Sequence, residues 1–305
     1  MNCIFKFDIH FEIKMNIFIT GGSGDLGLLL ARELMLRGDL PIRMDIRPPL
    51  NPQHGKFISG SILDRNLLSA SLNDIDCVVH VAAWHGIHLV TRQKNPYDFW
   101  DLNMTGTFNV FQAAAEKGIK KVVYISSTSV LDRFGVYGHT KVLGEEIART
   151  YHQRHGMQVI ILRPSAFIPW WNKDVYTSYL DWAKWYWKGA VHINDVLQSV
   201  IKSIDLLKTG KLDQMPALFV DGKYEYTPQD LEQWDAKGAG TTFQKYYSAY
   251  IAVAMKFGLD PAQKPEVFDI EPTRKILGYQ PTYSFLDLLN ELNEFGEKGP
   301  QPPQY

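Results

Sequence analysis

From Met15 the chain opens with an apolar run, NIFIT, breaks into glycines in GGSGDLG, and resumes as LLLARELMLRG before a second apolar run, PIRMDI. An apolar run that ends in glycines and yields to a helical period predicts strand, turn, helix and strand. The rhythm repeats. CVVHVAA (77–83), KVVYIS (121–126) and MQVIILR (157–163) predict strands, and between them TGTFNVFQAAAEKG (105–118) and the stretch from about Gly138 to His155 predict helices. Strands that are apolar throughout are buried on both faces, so the fold class expected is α/β, a doubly wound, Rossmann-type parallel sheet. Beyond Pro164 the rhythm fails. An aromatic stretch runs to Trp187, a short helix follows Asn194, and an irregular segment contains Pro216, Pro228, Gly238, Gly240, Pro261 and Pro265. The expected organisation is a main domain over 15–165, a small lobe over 166–295 with helices returning to the core, and terminal extensions at 1–14 and 296–305. The tail KGPQPPQY is expected to lack structure.

At 305 residues the chain can bury a core of enzyme size. Thirty-two basic against thirty-three acidic residues leave a net charge of -1, with no global field to gather nucleic acid or anionic membrane. A small-molecule partner fits that balance. Cys3 and Cys77 are the only cysteines, which excludes a disulfide framework, and Cys77 sits in an apolar run that predicts a buried thiol. The first fourteen residues alternate apolar and polar groups and carry Lys6, Asp8, Glu12 and Lys14, unlike the apolar core of a signal peptide. No stretch reaches membrane-spanning length, so the cytoplasm is the expected location, with Met15 as an alternative start.

Gly21, Gly24 and Gly27 lie in the turn between the first strand and its helix. Glycines there allow a tight turn and close backbone approach, and the helix amino terminus offers N–H groups and a positive dipole end to a pyrophosphate. A glycine triplet alone is equally a plain turn; Asp45 adds the context. It ends the second strand, eighteen residues after Gly27, where a carboxylate accepts from adenosine ribose hydroxyls and repels a 2′-phosphate. That favours NAD over NADP, whereas Arg47 is the opposing signal, since a guanidinium can hold a phosphate.

Tyr137 and Lys141 in YGHTK stand four apart at the start of a helix and share one face. Lowering a phenol from about 10 to about 7 takes roughly 4 kcal/mol. A cation at ~4.5 Å in an effective dielectric near 20 supplies ~3 to 4 kcal/mol, so Lys141 with an oxidised nicotinamide would suffice. The pair follows a strand and the hydroxyl cluster Ser126-Ser127-Thr128-Ser129, at the strand end where open α/β sheets place ligands.

In this order the pieces resemble the extended short-chain dehydrogenase/reductase family, in its NAD-dependent epimerase/dehydratase branch. The motifs are TGGSGDLG, HVAA at 80–83, Asn103 in NMTGT, YISS at 124–127, YGHTK, RPS at 163–165 and VHIND at 191–195, with a return at EPTRKILGYQP. The resemblance implies that Asp25 and Leu26 contact pyrophosphate, and that Ser61, Ile62, Ala82, Ala83, Asn103, Pro164 and Ser165 line the cofactor cleft. It implies Ser127 as the hydroxyl on the reacting oxygen, Tyr137 as the proton-transfer residue, and Lys141 as the holder of the nicotinamide ribose that lowers the phenol. A homodimer through the Tyr/Lys helix is implied as well.

The departures narrow this picture. Ser61 in GSI replaces the family's acidic residue, leaving Asp64 as a helix cap. The stretch from Ser127 to Tyr137 is short, with Leu131-Asp132 in place of Tyr-Gly, so part of the substrate wall is missing. Dehydratases of the branch carry an Asp-Glu pair where this chain has Thr128-Ser129, which disfavours sugar dehydration, and Ala166 stands near the position of a substrate-binding asparagine. The reading is hydride transfer at a secondary alcohol carbon of a sugar or sugar-like substrate, as net oxidation or as half of an epimerisation. The alternatives are a dinucleotide-sensing module without chemistry and an NADPH-dependent carbonyl reductase.

Trp84, His85 and Thr128 are the candidate substrate contacts. His85 and His88 have a spacing found in metal sites, but no Cys or carboxylate nearby completes a ligand set, so no metal is expected. His192 reads as structural. Trp170, Trp171, Trp182, Trp185 and Trp187 cluster with Tyr176, Tyr179 and Tyr186, a pattern that suits lobe packing, a substrate lid or a subunit contact.

Overall fold

In the computed structural model, which describes residues 14–49, 52–212 and 214–303, seven strands form one sheet. They are β1 (Asn16–Thr20), β2 (Leu40–Asp45), β3 (Lys56–Ser59), β4 (Cys77–His80), β5 (Lys121–Ile125), β6 (Gln158–Pro164) and β7 (Ala217–Val220). All pairs are parallel, in the order β3-β2-β1-β4-β5-β6-β7. The order reverses between β1 and β4, which opens a crevice at their carboxyl ends. Side chains alternate across the sheet, and each apolar run supplies both faces. Ile17, Ile19, Val79, Val123 and Leu162 join one buried cluster; Phe18, Val78, Val122 and Ile161 join another.

Helices α1 (Asp25–Leu36), α2 (Arg65–Ser71), α3 (Gly86–Val90), α4 (Pro96–Phe99), α5 (Thr107–Glu116) and α6 (Gly135–His155) connect the first six strands. Asp64 caps α2 as expected, accepting from Leu67 N at 3.0 Å. The helix expected at 105–118 starts earlier, as a π-helical turn over Trp100–Gly106 that runs into α5. The strand expected at 77–83 ends at His80, and Val81 to Ala83 form loop on the crevice floor. β3 has no sequence counterpart in the expectation, because its four residues, KFIS, are only half-buried or exposed at the sheet edge.

After β6 come α7 (Tyr179–Tyr186), α8 (Ile193–Thr209), α9 (Pro228–Glu232), α10 (Thr241–Tyr247), α11 (Ile251–Phe257), α12 (Glu271–Leu277) and α13 (Phe285–Phe295). Two expectations are corrected. The helix after Asn194 is seventeen residues long, its Val196, Val200, Ile204 and Leu207 forming a buried stripe against the sheet. The segment thought irregular contributes a strand, β7, whose four residues between Pro216 and Gly222 are too few to stand out. Of the tail, 299–303 form no helix or strand, as expected. A turn covers Gly296–Lys298, and Gly299 presses so closely on Tyr179 that a Cβ would overlap the ring. The first thirteen residues, with Cys3, lie outside the described residues.

The aromatic lobe has its own core, built from Trp170, Tyr176, Tyr179, Trp182, Tyr186 and Trp187 with Tyr226, Trp234, Phe243, Tyr247 and Phe285. It meets the sheet at Asp221, whose buried carboxylate accepts from Ser165 Oγ (2.7 Å), Phe268 N (2.8 Å) and Tyr224 OH (3.3 Å). Burial pushes Asp221 up to about 6 against those donors.

Candidate functional site

At the carboxyl ends of β1, β2 and β4 lies a cavity of about 480 Å³, floored by the glycine turn and the 81–85 segment and roofed by residues 167–175. Gly21 takes φ +69°, and a Cβ there would lie 2.9 Å from Ala82 N. A Cβ on Gly27 would overlap the Gly21 carbonyl, so only glycine lets α1 begin directly under the turn. Gly24, the N-cap of α1, has only the Gly21 oxygen, 3.4 Å from a hypothetical Cβ, and faces open space. An open cradle above a helix amino terminus is shaped for a phosphate group. Asp45 stands at one end, its carboxylate fixed by Ser23 N (3.1 Å) and Arg47 N (3.0 Å), each oxygen keeping capacity for a further donor. Ser61 and Ile62 line the same end, and Ala82, Ala83, Trp84 and His85 line the other. The floor, cradle and carboxylate together fit a dinucleotide.

Behind the 84–86 segment the structure brings Ser127, Tyr137 and Lys141 together. Ser127 stands beside the Tyr137 phenol, near enough to favour its charged form, and its Oγ accepts from Ser129 N at 3.1 Å. Lys141 is buried one turn along α6 and donates to the Ile125 carbonyl at 2.8 Å. Burial lowers the lysine to about 8, opposed by the charge of Glu145. Burial also raises the phenol of Tyr137, and Ser127 pulls it back. The Lys141 ammonium, donating to a strand-end carbonyl, lies 5.9 Å from the Tyr137 ring centre.

Other expected residues fall into three groups. Gly21, Gly24, Asp25, Leu26, Asp45, Ser61, Ile62, Ala82, Ala83, Trp84 and His85 line the cavity. Gly27, Asn103, Ser127, Tyr137 and Lys141 do not line it, though Gly27 packs under Gly21 and Asn103 holds Trp84. Asn103, in the π-helical turn, accepts from Trp84 N (2.7 Å) and donates to Trp84 O (3.0 Å) and Thr140 Oγ1 (3.1 Å), so it positions the floor. Pro164, Ser165 and Thr128 stand apart from the cavity lining, Ser165 being turned to Asp221. His192 is structural: it caps α8 and stacks on Tyr283 at 4.5 Å.

Two histidines flank the floor, His80 buried and His85 half-buried. Thr20 Oγ1 accepts from Val81 N and Ala82 N, both at 3.1 Å, so its own hydrogen points to His80 Nδ1 (2.7 Å). His80 Nε2 then donates to Thr107 Oγ1 (2.9 Å), which fixes a neutral ring, and burial holds it down at about 3. His85 is held at about 3 by burial and the Lys141 charge, and its ring meets Phe167 of the roof at 6.3 Å. His88 bonds to the His85 backbone, and among the described residues no group of three or more His, Cys, Asp or Glu is arranged to hold a metal ion.

Sequence reasoning missed the roof and the brace. Asn172 donates to Asp25 Oδ2 at 2.7 Å across 147 residues, and only the asparagine's position in an aromatic, turn-rich stretch hints at it. Glu145, one turn beyond Lys141, takes two bonds from Arg163 (2.9 and 2.6 Å) and one from Ser126 Oγ (2.6 Å). Its signal was the extension of YGHTK to a glutamate at the next helical turn.

Residues 17–169 match the model of the NAD dependent epimerase/dehydratase family. The "Uncharacterized protein y4nG" of Sinorhizobium fredii is 32% identical over an alignment of 327 positions, covering 92% of this chain and 78% of that protein. A UDP-N-acetylglucosamine 4,6-dehydratase (inverting) of Campylobacter jejuni is 28% identical over 145 residues, 44% of this chain and only 42% of the dehydratase. Among solved structures, a UDP-glucuronic acid 4-epimerase from Bacillus cereus in complex with UDP-glucuronic acid and NAD superposes with a TM-score of 0.65 at 21% identity. That match covers 90% of this chain and 97% of the other and speaks to the fold. No helix among the described residues is long and apolar enough to cross a membrane.

Proposed function

Because the chain belongs to the NAD dependent epimerase/dehydratase family, we propose that it binds NAD in the 81–85 crevice and transfers a hydride at a secondary alcohol carbon of a sugar or sugar-like substrate. The observation that carries this reading is the convergence of Ser127, Tyr137 and Lys141 beside a cavity that fits a dinucleotide. When bound, NAD supplies the hydride acceptor. Ser127 holds the substrate oxygen, Tyr137 takes and returns its proton, and Lys141 carries the positive charge that favours the phenolate. Asp45 receives the adenosine ribose, Gly24 and the α1 amino terminus the pyrophosphate. The main domain spans 15–165, with the substrate side supplied by the aromatic lobe. The protomers pair through α4, the π-helical turn, α5 and α6, which carry exposed Tyr97, Trp100, Phe108 and Leu143.

Tyr137→Phe tests the reading. Turnover is expected to fall at least ~100-fold with NAD affinity within a few fold, since general acid/base groups contribute about 10² to 10⁴. Lys141→Ala is expected to damage both. Steady-state rates on the first active sugar or uronic acid, paired with calorimetric titration of NAD and NADP, separate the two. Near-normal turnover in Tyr137→Phe removes the proton-transfer role, and equal affinity for the two cofactors removes Asp45 as the discriminating group.

A further inference from the structure

The roof of the cavity is anchored at both ends to different structures. On the lobe side, Trp170 and Tyr176 are buried in the aromatic core, Trp170 edge-on to Tyr179 at 5.5 Å. Between them the chain folds on itself, with Asn172 N donating to Pro169 O (3.0 Å) and Tyr176 N to Asn172 O (3.0 Å). The side chain of Asn172 is used at both ends. Its Oδ1 accepts from Asp174 N (3.1 Å), which leaves Nδ2 to donate to Asp25 Oδ2 (2.7 Å). Only an amide can do both.

Asp25 is the first residue of α1, immediately after Gly24, and both line the cavity with Asn172. A carboxylate at a helix amino terminus is ordinarily exposed and stabilised by the helix dipole. Here the roof covers it, and burial raises its pKa against the Asn172 bond and the charge of Arg47. The bond therefore crosses the cleft directly beside the phosphate cradle, and the second contact, Phe167 on His85, crosses it toward the Tyr137 end. A dinucleotide lying from Asp45 to His85 passes beneath both.

We propose that Asp25 and Asn172 form a clasp that fastens the 167–175 roof over the bound dinucleotide, so that the cofactor is retained between turnovers. This rests on the NAD reading above and goes beyond it. A retained cofactor must be regenerated in place. The hydride removed from the substrate carbon is then returned to the opposite face of that carbon, once the keto form has turned over in the site, and the proton held at Tyr137 returns to the oxygen, leaving NAD oxidised and the substrate epimerised. The clasp thus favours a redox-neutral reaction over net release of reduced cofactor.

The test is the rate at which bound NAD leaves, read by rapid mixing of the NAD-loaded full chain with a trap, for the unsubstituted protein and four variants. Asn172→Ala removes the bond and is expected to release NAD roughly tenfold faster or more, the scale of a hydrogen bond to a charged group. Asp25→Asn keeps an acceptor for Asn172 and is expected to stay within about threefold of the unsubstituted protein, a prediction of the clasp geometry. Asn172→Asp sets two carboxylates together and is expected to release fast. Combining it with Asp25→Asn rebuilds the bond with donor and acceptor exchanged and should restore slow release. That double variant keeps the proposal falsifiable even if a single variant folds poorly. If NAD binds the unsubstituted protein and leaves at the same rate from Asn172→Ala, the clasp is wrong and the NAD reading stands. If the unsubstituted protein binds no NAD, both fall.

Discussion

At the scale of single residues, the most consequential groups are those that burial forces into one protonation state. His80 and His85 are held at about 3, while an unfolded histidine titrates near 6.5. Between those values the unfolded chain binds protons that the folded one refuses, so stability is lost as pH falls below 6.5 and is intact above it. Asp221, raised to about 6, works with the opposite sign and returns part of the loss over the same range. From pH 6.5 to 5 these three groups together cost roughly 2 kcal/mol, and His192, which burial holds at about 4, adds to the loss. Thermal melts from pH 7.5 to 5 should show a falling midpoint, with a shallower fall in His85→Gln; a flat midpoint contradicts the neutral histidines. Cys77 was legible as a buried thiol because its neighbours are apolar, and burial indeed pushes it up to about 12. Tyr137 and Lys141 were legible because helical spacing is local. The direction in which Lys141 points was not, since it depends on a carbonyl of the neighbouring strand, sixteen residues away.

At the scale of elements, α6 is the part that must be placed accurately, and it is held by an ion pair and a missing atom. Glu145 grips Arg163 of β6 and Ser126 at the end of β5, while Gly144 gives the Tyr124 hydroxyl a seat that any Cβ would occupy. Removing one partner of a buried pair leaves the other uncompensated, at a cost of about 3 to 5 kcal/mol. Glu145→Ala is therefore expected to lower stability toward the upper part of the range for single substitutions, measured by chemical denaturation, and to impair turnover through displacement of Lys141. A loss below about 1 kcal/mol would show that the pair is solvated in practice. The strands of the sheet core could be found from sequence because each is a continuous apolar run. β3 and β7 could not, because four residues at a sheet edge or beside a proline carry too little pattern to separate from loop.

At the scale of the whole molecule, α4, the π-helical turn after it, α5 and α6 expose Tyr97 (81%), Trp100 (53%), Phe108 (44%) and Leu143 (38%), large apolar groups that an interface would cover. Sedimentation should show a dimer that Trp100→Glu combined with Phe108→Glu converts to monomer; a monomeric unsubstituted protein removes the pairing. The lobe's relation to the sheet was invisible in sequence, since it is set by contacts between segments far apart in the chain. Three passages of the chain between sheet and lobe, at Ser165, Asp221 and Phe268, are gathered on the single carboxylate of Asp221. Mechanically that makes Asp221 a keystone: loosening one titratable carboxylate would free three crossings at once.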